Sequence, residues 1–425
     1  MKKPKYEWPA PGGTPPNLDE HSAAKHAVIR TYLGRYLDIL TSNKRQDGLN
    51  LSLIDGFAGG GRYLYRGAPA PGSPIILLEE IGKARVRVAE GRRKPFALNA
   101  EFFFVERERA GVDYLEWCLG GSEWGAGRGE WLHLLNREFD IALPDIIGHI
   151  KRRGRKHRAI FLLDQYGYSD VTLSAIRTIL DSLAYPEIIV TFSVDWLITF
   201  LCEDEKFLKG VAPVEIGADQ VRRMLDLKEE SGGRWAIQHL LYRHLVARTG
   251  APYYTPFFIR SPASNRSYWL VHISKHPKAR DEMAQLHWTM SNLFIHQGGA
   301  GLRMLGFQPE RVAEQTAIDF DFGALAEERS RTALMSELPP VIFEAAFRSA
   351  KPATLETLFG RVCNETPATT TIISKVLLDL RAEGEVEIVT ADGRPRPRTS
   401  TIDWSDVILP PKQRSFFSTV WPTSS

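Results

Sequence analysis

The stretch Leu51–Tyr63, LSLIDGFAGGGRY, constrains the fold more than any other part of this 425-residue chain. Leu51, Leu53 and Ile54 read as a buried strand, Asp55 closes it, and Gly56, Gly59, Gly60 and Gly61 make the turn that follows. Glycines admit positive φ and carry no Cβ, so backbone N–H groups can face a bound group at the carboxyl end of a parallel strand. The turn points to an α/β sheet with a ligand at its edge. An ordinary glycine-rich strand-to-helix turn is the plain alternative.

The kind of ligand follows from what the turn lacks. A phosphate loop ends in Gly-Lys-Ser/Thr, and here Arg62 follows Gly61. The dinucleotide spacing Gly-x-Gly-x-x-Gly is absent as well, and Asp55 would set a carboxylate beside two phosphates. A cationic, amino-acid-like cofactor suits an acidic strand end better. S-adenosylmethionine (SAM), with its ammonium and sulfonium, is the best candidate.

The length predicts two domains. Residues 1–18, rich in proline, are expected as a flexible arm. DEHSAAKHAVIRTYLGRYLDIL then places apolar residues at helical spacing, with Asp19 or Ser22 as its cap. His21, Lys25 and His26 lie in its first turns, on either a solvated or a functional face. SPIILLEEIGKARVRVAEG predicts a helix, LNAEFFFVERER a second strand ending at Glu106, and GEWLHLLN a third. An acid at the tip of the second strand accepts ribose hydroxyls in nucleoside-binding α/β folds, about 20 residues after the turn; Glu106 stands at that place after about fifty. Asn136 and Glu138 fall where a cofactor's base would lie.

AIFLLDQYGY predicts a strand that ends at Asp164-Gln165-Tyr166-Gly167-Tyr168, and PEIIVTFSVDWLI predicts another. Strands alternating with helices give a parallel sheet whose functional turns share one edge. Residues 203–250 read as a helical insertion, and two strands around PASNR as an antiparallel hairpin finishing the sheet. The expected divisions are a first domain over 19–300, a connector over 301–335 and a second domain over 336–425. Three helices followed by EVEIV, the turn TADGRPRPR and TSTIDW outline a winged helix, in which Thr369, Thr370, Thr371, Ser374 and Lys375 lie on the third helix and Arg394, Arg396 and Arg398 arm the wing. Lys375 and the three arginines are the candidate nucleic-acid contacts; protein docking is the other use of such a module.

A formal charge of +3 does not by itself argue for nucleic acid. Two basic clusters, Lys83–Lys94 and Lys151–Arg158, could track phosphates, although the second precedes its strand and so lies at the edge away from Asp164. Cys118, Cys202 and Cys363 have no metal spacing and read as reduced thiols of a cytoplasmic protein; no metal site or membrane segment is expected.

With Asp55, Glu106 and Asp164 at strand ends, the chain resembles the class I SAM-dependent methyltransferases. On HSAAKHAVIRTY, IDGFAGGGRY, Val105-Glu106, LDQYG and YWLVHISKHPKARDEM it is similar to the three-Cys-motif partner (TcmP) family, whose name implies a neighbouring protein with a three-cysteine motif of the radical-SAM kind. Lys25-His26 and the Asp55, Ala58, Gly59, Gly61, Arg62, Tyr63 turn also resemble bacterial methyltransferases of adenine N6 in large-subunit rRNA. These resemblances imply a Rossmann-like doubly wound sheet of the class I methyltransferase type with an antiparallel terminal hairpin, plus a C-terminal winged-helix-like domain. They imply that Lys25 or His26 reaches the methionine carboxylate, Asp55 the amino group and Asp164 the acceptor, with Phe57, Ala58, Gly59, Gly61 and Arg62 against the donor. Amino-methylating enzymes carry Asp-Pro-Pro-Tyr where this chain has Asp164-Gln165-Tyr166-Gly167, which keeps an acid and an aromatic but neither proline. The leading expectation is a methyltransferase acting on nucleic acid, with Asp164, Gln165 and Tyr166 as its catalytic turn. The alternative is a non-catalytic nucleic-acid-binding or partner subunit, and a third is a methyltransferase of small molecules or proteins.

Overall fold

A computed structural model describes residues 6–165, 167–230, 233–260, 267–290, 296–297, 319–320, 324–348, 353–397 and 401–411. Contacts divide the chain into two units, Met1–Lys275 and His276–Ser425, whereas the sequence placed the end of the first domain near residue 300.

The first unit begins with α1 (Glu20–Thr41), capped by Asp19, whose carboxylate accepts the Ser22 N–H at 2.8 Å. β1 (Gly48–Asp55) leads into a small antiparallel hairpin, β2 (Arg62–Tyr65) and β3 (Ala68–Pro71). Arg66 and Gly67 at its tip both take positive φ, 53° and 79°, the twist that a two-residue hairpin turn requires. Then come α2 (Ser73–Glu90), β4 (Ala97–Val105), α3 (Arg109–Gly120), β5 (Leu132–Leu135), α4 (Phe139–Arg152), β6 (Arg158–Leu163), α5 (Leu173–Ser182) and β7 (Tyr185–Phe192). Four helices follow, α6 (Val194–Thr199), α7 (Glu205–Val211), α8 (Ala218–Lys228) and α9 (Gly233–Thr249), before β8 (Tyr253–Arg260) and β9 (Ser267–Ser274) close the unit.

The sheet has seven strands in the order β5-β4-β1-β6-β7-β9-β8. The first five in that order run parallel, and β9 enters antiparallel to β7. This is the Rossmann-like arrangement of the class I methyltransferases, with the expected terminal hairpin. Ala159–Leu163 of β6 are buried without alternation, as befits a strand covered by helices on both faces. Val221, Met224 and Ile237 join the same core, so the helices of the 203–250 insertion are built onto the sheet. On the other face Tyr32 of α1 hydrogen-bonds Glu187 of β7, and His272 of β9 lies 3.0 Å from the Tyr32 hydroxyl; all three are buried.

Three expectations need correction in this unit. Residues 6–18 form a docked segment: Leu18 N–H donates to Leu64 O at 2.7 Å, Leu64 N–H to Pro16 O at 3.0 Å, and Tyr114 Oη to Gly13 O at 2.8 Å. The β2–β3 hairpin was not foreseen. Val194–Thr199 turns into a helix, so the strand stops at Phe192.

In the second unit α10 (Pro277–Thr289), the two-residue pair β10 (His296–Gln297) and β11 (Asp319–Phe320), and α11 (Ala324–Arg348) precede α12 (Leu355–Val362), α13 (Thr370–Ala382), β12 (Glu387–Val389) and β13 (Val407–Leu409). α11 begins inside the expected connector. β13 pairs antiparallel with β12 and lies beyond TSTIDW, which is therefore not the return strand of the wing. Asp281 of α10 accepts the Thr370 N–H at 2.8 Å and the Thr370 hydroxyl at 2.5 Å, capping α13 from outside its own turn.

Candidate cofactor cleft

β1, β4 and β6 are neighbours, and their carboxyl ends deliver Asp55, Glu106 and Asp164 to one edge. A cleft of about 340 Å³ opens there, lined by Lys25, Gly59, Glu106, Asp164 and Gln165 among others. That volume lies within the usual small-molecule range. Asp55 lies fully buried behind it. Its Oδ1 accepts the Phe57 N–H at 3.1 Å and Ser73 adds a hydrogen bond, while Oδ2 has no partner among the described residues. Burial pushes its pKa up to about 7, and Asp164 and Glu106 repel its charge further.

Glu106 serves the turn itself. Its two oxygens accept the Gly59 N–H at 2.9 Å and the Glu108 N–H at 2.7 Å, and burial raises its pKa against the pull of those bonds. Lys25 of α1, 5% exposed, donates to Asp164 Oδ1, and His26 lies on the cleft wall with its ring 6.1 Å from that of Tyr63. A buried ammonium is costly unless paired, and Asp164 is the partner that the strand end supplies.

The glycine corner is less open than expected. Gly59, at φ 57°, lines the cleft, but a Cβ on Gly60 would lie 2.3 Å from the Trp8 ring and one on Gly61 2.6 Å from Leu115. Trp8 belongs to the docked N-terminal segment and packs edge-on against Tyr63 at 5.1 Å. Tyr6, on the same segment, donates to Asp19 at 3.0 Å. Both rings line the cleft, and no helical or strand period in the proline-rich segment marked them. Phe57 also lines it, whereas Ala58, Arg62 and Asn136 do not. Asn136 instead donates to Glu106 O at 3.0 Å and Arg107 O at 2.8 Å, steadying the end of β4. Glu138 lines the cleft where α4 begins, beside Phe139 and Asp140.

At the third turn Gln165 braces the loop that follows it. Its Oε1 accepts the N–H groups of Asp170 at 2.8 Å and Val171 at 3.0 Å, and Gly167 O accepts the Ser193 N–H at 2.9 Å. Tyr166 lies outside the described residues. Tyr168 is half-buried against the core, a packed ring.

Three of the four candidate nucleic-acid contacts are engaged within their own unit. Lys375 pairs with Glu327 at 2.6 Å, Arg394 with Asp392 at 3.2 Å, and Arg396 with Asp403 and Asp406. Thr369 and Thr370 are buried, and Arg398 lies outside the described residues. Cys118 and Cys363 are buried thiols, whereas Cys202 is partly exposed and donates to Asp204 at 3.1 Å. Among the described residues no group of His, Cys, Asp and Glu is placed to hold a metal ion, and no helix is long and apolar enough to cross a membrane.

A family model described as the GMT-like wHTH domain matches residues 306–393, which takes in α11 to α13 and β12. No curated protein matches the chain. Among solved structures it is similar to a Legionella pneumophila protein, LPL1258, at 11% identity, covering 65% of this chain and 94% of that one with a TM-score of 0.39. It is also similar to the N-terminal domain of human METTL16, solved with S-adenosylhomocysteine, at 10% identity over 58% of this chain and 70% of that one, TM-score 0.27. A SAM-dependent methyltransferase from Agrobacterium tumefaciens matches at 10% identity over 58% and 62%, TM-score 0.27. At such scores the strand order, not these likenesses, carries the fold.

Proposed function

We propose that the cleft binds SAM and that the chain is a methyltransferase acting on nucleic acid. The observation that carries this is the convergence of Asp55, Glu106 and Asp164 on one edge, with Asp55 keeping a buried oxygen that has no partner among the described residues. An acidic, enclosed site favours a ligand that brings its own positive charge. Asp55 would hold the ammonium, Glu106 the ribose, and Lys25 or His26 the carboxylate. When bound, SAM supplies an electrophilic methyl group. The chain's part is positioning: Gln165 fixes the turn, and Asp164 accepts a hydrogen bond from the acceptor, an adenine amino group in the finer form of the reading.

A second reading, a non-catalytic partner of a three-cysteine-motif protein, is favoured by Trp8 lying over Gly59-Gly60 and by the paired cations of the wing. Calorimetry with SAM, followed by transfer of tritiated methyl to RNA, DNA and protein, separates the two. Absence of SAM binding sinks the enzyme, and binding without transfer to any acceptor favours the subunit.

A further inference from the structure

The strands that end at the cleft begin at a different kind of surface. β4, β1 and β6 lie side by side, with Gly48 level with Ala97 and Leu51 level with Arg158. The loops that feed them, residues 42–47, 91–96 and 153–157, therefore share the amino edge of the sheet. Strands in a sheet stand roughly 4.8 Å apart, so the three loops lie within about 10 Å across the sheet. Each carries an exposed basic pair: Lys44 and Arg45, Arg93 and Lys94, Arg155 and Lys156. None of the six has a carboxylate partner among the described residues. Asp47 is the only acid in the three loops.

The neighbouring cations show what an internal role looks like here. Arg92 donates to the carbonyls of Thr41, Asn43 and Gln46, clamping the second loop to the first, and Arg153 pairs with Glu101. Those two arginines brace the loops; the six exposed cations do not. On the same edge Tyr185 starts β7, 45% exposed, with the Arg158 guanidinium 4.9 Å over its ring. In a chain whose net charge is only +3, this is a local concentration.

We propose that this amino edge is a second binding surface, taking the phosphodiester backbone of a nucleic acid. Braced basic pairs in a row suit a regularly spaced line of phosphates, and an exposed aromatic among them suits a base or ribose. An anionic membrane fits less well, because the loops present little apolar surface, only Pro95 and a Phe96 that lies under Arg92 at 4.4 Å. The eight residues of β1 put this surface about 26 Å from the cleft. A ligand that touches both is a polymer, not a mononucleotide. The assignment does not depend on what the cleft binds.

The test uses the full chain, a labelled RNA hairpin, a DNA duplex of the same length and phosphatidylserine vesicles. Wild-type binding to RNA, DNA or both is expected to weaken with salt, with a slope of log K on log salt of about −5 for six phosphate contacts. Arg93→Glu/Lys94→Glu and Arg155→Glu/Lys156→Glu should each lower affinity at least about tenfold and flatten the slope by about 2. Which nucleic acid binds identifies the source of the backbone. Unchanged affinity and slope in both variants overturn the proposal, as does binding to vesicles without binding to either nucleic acid. SAM calorimetry on the same variants reports on the cleft separately, so failure there leaves this outcome readable.

Discussion

The two ends of β1, β4 and β6 handle charge in opposite ways. At the carboxyl end, Asp55 and Glu106 are withdrawn from water, and burial lifts both carboxyl groups above their ordinary range. At the amino end the charges are exposed and positive, while the histidine beneath them is kept neutral. His157 is buried, with its Nε2 2.8 Å from Ser52 Oγ, and burial with Arg153 nearby pushes its pKa down to about 4. A buried ion depends on one well-placed partner, whereas exposed ions act together through their field. The same three strands can thus frame a pocket for a small cation at one end and a track for a polyanion at the other.

The largest effect is expected at the buried end. Asp55→Ala should lower SAM affinity more than about 100-fold, close to the 3 kcal/mol that breaking a buried ion pair costs. Glu106→Gln should weaken it less, because its backbone bonds survive in part. Asp164→Asn should keep SAM affinity within a few-fold and remove turnover; calorimetry and single-turnover transfer read the two quantities. Equal loss of binding in all three variants would erase the division between holding the donor and facing the acceptor.

Next comes the response to pH, which has opposite sign at the two ends. Asp55 keeps its proton in the fold up to about 7 against 3.8 for an ordinary aspartate, so its contribution to stability is full in acid and lost as the pH rises through 7. His157 stays neutral in the fold down to about 4 against 6.5, so its contribution is full above 6.5 and lost as the pH falls toward 4. Asp55→Asn should raise stability at pH 8 by on the order of 2–4 kcal/mol, and His157→Gln should make the acid limb shallower. Urea denaturation at pH 5, 6.5 and 8 checks both signs.

Smaller effects sharpen the contrast. Gly60→Ala places a methyl group into the Trp8 ring, so hydrogen exchange over residues 6–18 should rise several-fold while the sheet stays protected. Arg155→Glu/Lys156→Glu should move the melting temperature by no more than about 2 °C, because both side chains are solvated. A larger drop would mean that the amino-edge cations hold the fold together.

Much of the parallel sheet could be read in advance because a covered strand is a run of apolar residues with its polar group at the end. Phe102–Val105 before Glu106 and Ile160–Leu163 before Asp164 show the pattern. What escaped depends on partners far away in the chain. Nothing in YEWPAPGG reveals that Trp8 meets Gly60 and Tyr63, because that contact has no period. Arg394 and Arg396 read as a charged wing, yet Arg394 pairs with Asp392 two residues before it, and the carboxylates of Asp403 and Asp406 reach Arg396 only once β12 and β13 pair. Nearer at hand, Gln165 orders its own turn through two bonds from Asp170 and Val171 that its residue type does not announce.

α1 joins the cleft and the buried cluster of Glu187 and His272 in one rod. Lys25 meets Asp164, and seven residues on, about 10 Å along the axis, Tyr32 meets Glu187 and His272. Adding or deleting one residue between them would swing one anchor by about 100° around the axis relative to the other. The spacing works as a combination lock with two wards: Ala27 and Thr31 are free to change in kind, but the interval between Lys25 and Tyr32 is not free to change in length.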